Sequence, residues 1–370
     1  MMQQVLERRF DRHPIILVDV RVQTRAHDVN LQGAARHGRL LPGRLLSGRD
    51  EFGAVHPTIL PPLASVGCET VNKQCVRIGT RRRPRVFMIK LLSRLPWAAL
   101  YAFSAFLYFL AYYVVRHREH VIREQIDKVY PTLSAAERET IHKQYLRNFC
   151  DVSVELLKSV SMSADEMRRR MRVVNGELAR QYLDAGQSIM FMTSHLGNWE
   201  WLLHGVTLQL GYPVDAAYKP LHDAWAERLM LKLRSRFGAR MVPAKELLAD
   251  FFRRRGVVRA VGMNADQAPM STDQRYWTRF LGQDTAFYVG AEQIARAMRL
   301  PILYAHVRRV RRSVYEVEFR PLWDGREPVD ANQVTERYAR ACEVDVLKSP
   351  ADWLWSYRRW RLKKPLYGAA

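Results

Sequence analysis

His195 and Glu200 stand in the pattern His-x4-Glu, within Ser194-His195-Leu196-Gly197-Asn198-Trp199-Glu200. An imidazole has the basicity to take a proton near neutral pH. A carboxylate within reach would hold it in one tautomer and stabilise the imidazolium that forms, the orienting logic of a catalytic triad with the serine left out. The nucleophile would then come from the substrate, most simply a hydroxyl. Gly197 lets backbone approach closely, and N–H groups at a helix start could face a developing oxyanion. Two residues at this spacing also recur by chance, and a buried histidine paired to a nearby acid fits them equally. Residues five apart do not share a helical face. The pairing therefore needs His195 in a turn and Glu200 in the first turns of a helix.

The flanking residues supply those elements. The run 187–193 is apolar and of strand length, and 199–206 reads as a buried helix. In open α/β sheets, ligands bind beyond the carboxyl ends of strands, where His195 would lie. Further strands are expected at 214–218, 239–242, 257–263, 302–307 and 313–319, with helices at 224–236, 246–254 and 290–298. The last two strands are close enough to form a hairpin. The alternation predicts an α/β fold, a mixed sheet flanked by helices. Upstream, 118–158 reads helical, broken at Pro131-Thr132-Leu133-Ser134. Ser134-Ala135-Ala136-Glu137 has the form of a capping box, and another helix starts near 162–166. No internal repeat, Gly-rich phosphate loop or GxGxxG pattern occurs, so nothing points to nucleotide binding or redox chemistry. Cys68, Cys75, Cys150 and Cys342 have neither zinc-site nor disulfide-scaffold spacing.

Residues 95–115 carry no charge, and about 20 apolar residues suffice for a helix to cross a bilayer. Trp97, Tyr112 and Tyr113 sit near the ends, as interfacial aromatics do. Lys90 and Arg94 flank one end and Arg116 and Arg118 the other, so charge does not give an orientation. A membrane helix, spanning or deeply inserted, is expected over 88–118; a long buried helix of a soluble fold, or one half-sunk in the membrane surface, has the same composition. Residues 1–87 are rich in Arg, Gly, Pro and His and read as a basic, mostly disordered extension. They also fit an upstream stretch translated ahead of a start at Met88. A signal peptide is not expected. Lys and Arg number 59 against 37 Asp and Glu, a net charge of +22. That balance calls for an anionic partner: nucleic acid, acidic protein, anionic lipid or phosphorylated substrate. The extension lacks the interleaved aromatics of a nucleic-acid tail.

From about residue 88 to 364 the chain resembles the lipid A biosynthesis late acyltransferases, the lauroyl and myristoyl transferases of Gram-negative bacteria. Four features carry the resemblance, in the family's order. They are the apolar helix, the Ser194–Glu200 motif, Tyr218-Lys219-Pro220 leading to Arg234-Ser235-Arg236-Phe237-Gly238, and Asn264-Ala265-Asp266-Gln267 with a closing Pro350-Ala351-Asp352-Trp353-Leu354-Trp355-Ser356-Tyr357-Arg358-Arg359-Trp360. The resemblance implies a glycerolipid-acyltransferase-like fold behind an N-terminal membrane helix, with the catalytic domain over 119–364 and a tail at 365–370. It implies transfer of a fatty acyl chain from acyl carrier protein to a hydroxyl of a phosphorylated lipid A precursor, at the cytoplasmic face of the bacterial inner membrane. His195 would be the general base and Glu200 its partner. Asn198, Lys219, Arg228, Arg236, Asp266 and Gln267 would bind substrate. No metal or cofactor is expected, because a thiolate leaves readily, and no nucleic acid.

Where many members carry Gly-x-x-Val-Phe-Phe-Gly, this chain has Tyr276-Trp277-Thr278-Arg279-Phe280-Leu281-Gly282, and Lys219 stands where an Arg is common. The acceptor could instead be another glycolipid or a lysophospholipid, although the Phe-Pro-Glu-Gly-Thr-Arg block usual in glycerolipid transferases is replaced by Met263-Asn264-Ala265-Asp266-Gln267. A non-enzymatic, basic, membrane-attached binding protein is the remaining reading. Arg253-Arg254-Arg255 and Arg308, Arg309, Arg311 and Arg312 are candidates for a basic face toward an anionic partner.

Overall fold

The computed structural model describes residues 83–270 and 273–364. Its frame is a sheet built on β2 (Ile189–Thr193), a run of five residues buried along its whole length. A strand covered on both faces needs no polar alternation, which is why this one reads as continuous apolar sequence. Alternate side chains still go to opposite layers. Met190 and Met192 join the core on one face, Ile189 and Phe191 the core on the other.

The remaining strands are β1 (Met171–Val173), β3 (Val214–Tyr218), β4 (Arg240–Pro243), β5 (Ala260–Asn264), β6 (Arg275–Phe280), β7 (Gln283–Tyr288), β8 (Ile302–Arg311) and β9 (Val314–Trp323). The seven-stranded sheet has the order β1-β9-β8-β2-β5-β3-β4. Strands β8, β2, β5, β3 and β4 are parallel. β9 turns back antiparallel to β8, so the sheet is mixed, as the closeness of the strands expected at 302–307 and 313–319 implied. Phe191 lies opposite Gly262 on β5. A Cβ there would come within 2.4 Å of the Phe191 ring, so a glycine lets the ring lie across its neighbour strand.

The helices are α1 (Arg83–Ser93), α2 (Trp97–Phe109), α3 (Glu119–Val129), α4 (Ala135–Ser159), α5 (Ala164–Arg170), α6 (Glu177–Asp184), α7 (Trp199–Gln209), α8 (Ala224–Arg234), α9 (Leu247–Arg253), α10 (Gly290–Met298) and α11 (Gln333–Lys348). The capping box forms at α4: Glu137 N–H donates to Ser134 Oγ at 3.3 Å and Ser134 N–H to Glu137 Oε2 at 2.7 Å. β1, α6, the β6–β7 hairpin and α11 were not among the elements expected from the sequence. The hairpin turns on Leu281 and Gly282, both at positive φ. Such two-residue turns favour Asn-Gly or Asp-Gly, so Leu-Gly gave no signal.

Residues 88–118 are not one helix. α1 ends before Pro96, which precedes α2, and α2 runs on through a π-helical turn, Leu110–Val114. The stretch Trp97–Val114 has the length and apolarity of a membrane span, yet one side of it is fastened to the α/β domain. Trp97 Nε1 donates to Glu166 at 2.8 Å, Tyr101 Oη to Glu155 at 3.1 Å and Ser104 Oγ to Asp151 at 2.6 Å. Phe103, Phe106 and Phe109 point away, exposed. Of the expected extension, 1–82 lies outside the described residues, as does the tail 365–370; 83–87 open α1.

Gly262→Val should force the Phe191 ring aside and cost about 1–3 kcal/mol, read as a lower urea midpoint for detergent-solubilised protein. An unchanged midpoint would mean that the ring has somewhere else to go.

Candidate active site

β2 and β5 are parallel neighbours whose last paired residues are Thr193 and Asn264. Two residues on, at the carboxyl end of each strand, come His195 and Asp266. His195 Nδ1 donates to Asp266 Oδ1 at 2.6 Å, and the His195 backbone N–H donates to Asp266 Oδ2 at 2.9 Å. Trp353 Nε1 donates to the same Oδ2 at 2.9 Å. Burial alone would raise the Asp266 pKa, but the imidazole and these donors outweigh it, and the pKa is lowered from the ordinary aspartate value. An ionised Asp266 keeps the proton on Nδ1, which leaves Nε2 unprotonated.

Nε2 faces two amides: Asn264 Nδ2 at 3.2 Å and Gln267 Nε2 at 3.4 Å. The Trp199 ring lies edge-on to the imidazole at 5.3 Å. With 15% of its side chain exposed, His195 is reachable from outside. The dyad can therefore take a proton at Nε2 and hold the resulting charge.

A single late segment holds both loops. Gly197 N–H donates to the Asp352 carbonyl at 2.9 Å and Leu354 N–H to the His195 carbonyl at 3.1 Å. Ala268 N–H donates to Tyr357 Oη at 3.1 Å. Gly197 has φ +60°, and a Cβ there would lie 3.2 Å from Val307 Cγ1. The close approach that this glycine allows is thus toward β8, and its N–H is already used.

Glu200 does lie in the first turn of a helix, α7, but it is not the hydrogen-bond partner of His195. Its oxygens accept from Arg234, Nε to Oε2 at 2.9 Å and Nη2 to Oε1 at 2.6 Å. The turn at Gly197 and the cap at Asn198 aim the first turn of α7 at α8, while Asp266 takes Nδ1. Burial would raise the Glu200 pKa, but chiefly Arg234, with smaller contributions from His204 and His195, lowers it. Glu200 is therefore committed to Arg234 and not to the imidazole. His204, one turn on, is pushed down to about 4, first of all by burial.

Asn198, expected to bind substrate, is fully buried. It is the N-cap of α7, where its Oδ1 accepts from Trp201 N–H at 3.0 Å and its Nδ2 donates to Glu155 at 2.8 Å. Asp266, expected to bind substrate, instead spends its oxygens on His195 and Trp353. Gln267 does face Nε2. Lys219 is exposed just past β3, its Nζ 3.4 Å from Met270 Sδ, so it borders the loop that follows Asp266. Arg228 is exposed on α8. Arg236 donates to the Ser159 carbonyl and lies over the Phe237 ring, which makes it part of the packing between α8 and α4. Sequence reasoning missed the roles of Trp353, Asn264 and Arg234, although all three fall in quoted motifs. Knowing the β2–β5 register would have brought out Asp266 and Asn264; nothing local marks Arg234 as the partner of Glu200.

The sequence pattern of the family described as bacterial lipid A biosynthesis acyltransferase matches residues 85–362. A lipid A biosynthesis palmitoleoyltransferase of Escherichia coli strain K12 is 22% identical over 259 residues, covering 67% of this chain and 80% of its own length. A lipid A biosynthesis acyltransferase of Shigella flexneri matches to the same extent.

Arg234→Met should leave Glu200 buried without its partner and destabilise by about 3–5 kcal/mol, with Glu200→Gln/Arg234→Met recovering most of the loss. Because the folded-state pKa of Glu200 is lowered, its contribution is complete above the ordinary glutamate value of 4.5 and fades as pH falls below it. Unfolding followed from pH 7 downward should therefore show a shallower acid loss in the double variant than in wild type.

Proposed function

The chain belongs to the bacterial lipid A biosynthesis acyltransferase family, and we propose that it moves a fatty acyl chain from an acyl carrier protein thioester to a hydroxyl of a lipid A precursor, with His195 as the general base. The observation that carries this reading is the contact of His195 Nδ1 with Asp266 at 2.6 Å. Asp266 occupies Nδ1, and Nε2 faces outward at the carboxyl edge of the sheet.

An acceptor hydroxyl placed at Nε2 gives up its proton as its oxygen attacks the thioester carbonyl. The imidazolium is stabilised by Asp266. The tetrahedral intermediate collapses with cleavage of the C–S bond, and the proton passes from Nε2 to the departing thiolate. An ester and a thiol result, with no metal and no further co-reactant. The amides of Asn264 and Gln267 are donors close to the reacting atoms and suit the oxygen on which charge develops. Nearby Trp199 and the buried floor below the loop keep the imidazole partly out of water. That limits hydrolysis of the thioester.

The acceptor would be a phosphorylated glycolipid, with Lys219 and Arg228 as exposed cations on the side of the site formed by β3 and α8. The enzyme would work at the cytoplasmic face of the inner membrane, where both a soluble carrier protein and a lipid acceptor can reach it.

His195→Ala should lower acyl transfer in a purified assay by at least about 1,000-fold, and Asp266→Asn by about 100- to 10,000-fold with the fold intact. Wild-type turnover in His195→Ala would remove the base from this mechanism. In a strain lacking the gene, mass spectrometry should find lipid A lighter by one acyl chain; an unchanged species would contradict the proposed acceptor.

A further inference from the structure

The side of α2 that docks on the protein and the side it exposes are opposite stripes of one helix. Trp97, Tyr101, Ser104, Tyr108 and Tyr112 recur at spacings of four and three, which puts them on one face. Each meets a polar or charged side chain of the α/β domain. Glu166, Glu155 and Asp151 accept from the first three, Arg147 lies over the Tyr108 ring at 4.9 Å, and Tyr112 Oη donates to Glu139. Leu100 and Ser104 are buried in this seam, while Phe103, Phe106, Phe109 and Tyr113 are exposed on the other side, with Phe87, Met88 and Leu91 of α1 beyond them.

At a rise of 1.5 Å per residue the seam runs for about 22 Å, most of the roughly 30 Å of a bilayer's hydrocarbon core. Were α2 to cross end-on, it would draw these carboxylates and the helix that bears most of them, α4, into hydrocarbon. Groups of that kind are tolerated there only inside a polar cavity. Detaching α2 instead would leave Ser104 without its acceptor and take one donor each from Asp151 and Glu155. Lying flat costs neither, because the outward stripe is apolar and the basic residues sit around it. Lys90 and Arg94 are exposed at the α1 end, while Lys143 and Arg147 lie along the seam over Tyr112 and Tyr108. That is the distribution of an interfacial helix on an anionic leaflet.

We propose that α2 lies in the plane of one leaflet of an anionic bilayer, with Phe103, Phe106 and Phe109 immersed and its opposite face held by the carboxylates of α4 and α5, so that the chain enters and leaves the membrane on the same side. The docked face also connects to the catalytic loop. Glu155 accepts from Tyr101 on α2 and from Asn198, the cap of the helix that follows His195. Two side chains separate the membrane-facing helix from that cap, which places the catalytic turn beside the leaflet from which a lipid acceptor would come. The inference builds on the reading that the acceptor is a membrane lipid, but its test reads topology and not acyl transfer.

The test uses the full chain with Cys68→Ser and Cys75→Ser; Cys150 and Cys342 are buried. Lys90→Cys and His120→Cys, exposed at either end of the α1–α2 segment, are labelled separately with a membrane-impermeant maleimide in sealed inside-out and right-side-out vesicles. Both positions should react from the same face. Reaction from opposite faces, or from neither, overturns the proposal. Independently, the variant Phe103→Glu/Phe106→Glu/Phe109→Glu should float at least about tenfold less with phosphatidylethanolamine–phosphatidylglycerol vesicles than wild type. Unchanged flotation would also overturn it.

Discussion

The Asp266 carboxylate accepts three N–H groups from two segments that are far apart in the chain: the backbone and ring of His195, and the indole of Trp353. Much of what surrounds the site follows from keeping that carboxylate charged in a buried place. Removed from water, it is stable only while its partners stay in position. The segment after α11 supplies Trp353 and holds the His195 turn, bonding to the backbone on both sides of Leu196 and, through Tyr357, to the loop that follows Asp266. The same bonds set the tautomer of His195. Structural and chemical demands therefore converge on one side chain.

A second buried carboxylate, Glu200, has a different task. Its position in the first turn of α7 favours negative charge through the helix dipole, and the Arg234 fork neutralises it with two hydrogen bonds. The pair ties α7 to α8, and α7 begins just after the turn that carries His195. A short His-x4-Glu motif can thus be structurally coupled without direct contact between its two named residues.

The large excess of basic residues is partly consumed inside the fold. Arg254 and Arg259 converge on Asp215 and Asp250, and Arg309 and Arg312 on Asp151, which also receives Ser104 of α2. Of the two arginine runs, Arg254 and Arg309 are therefore drawn into the fold, while Arg253, Arg255, Arg308, Arg311 and Arg312 stay exposed. Exposed cations remain at Lys219 and Arg228, near the carboxyl edge of the sheet, and around the apolar stripe of α2.

Local sequence was enough to determine the strand–turn–helix around His195, the α/β class and the mixed sheet. Apolar runs, caps and spacing act between residues a few positions apart, and their signals survive in a single chain. It was also enough to mark an apolar helix near 97–114. Pairing was another matter. Which acid meets His195 depends on the lateral register of β2 against β5, and no local rule links residue 195 to residue 266. Likewise nothing in the apolar stretch of α2 foretells that one side of it packs on α4, because such a stretch is silent about carboxylates some fifty residues later. Only tertiary structure decided that Asp266, and not Glu200, holds the imidazole, that Asn198 caps a helix, and that one face of α2 belongs to the protein. Each of these depends on a contact between distant segments, and such contacts are set by packing.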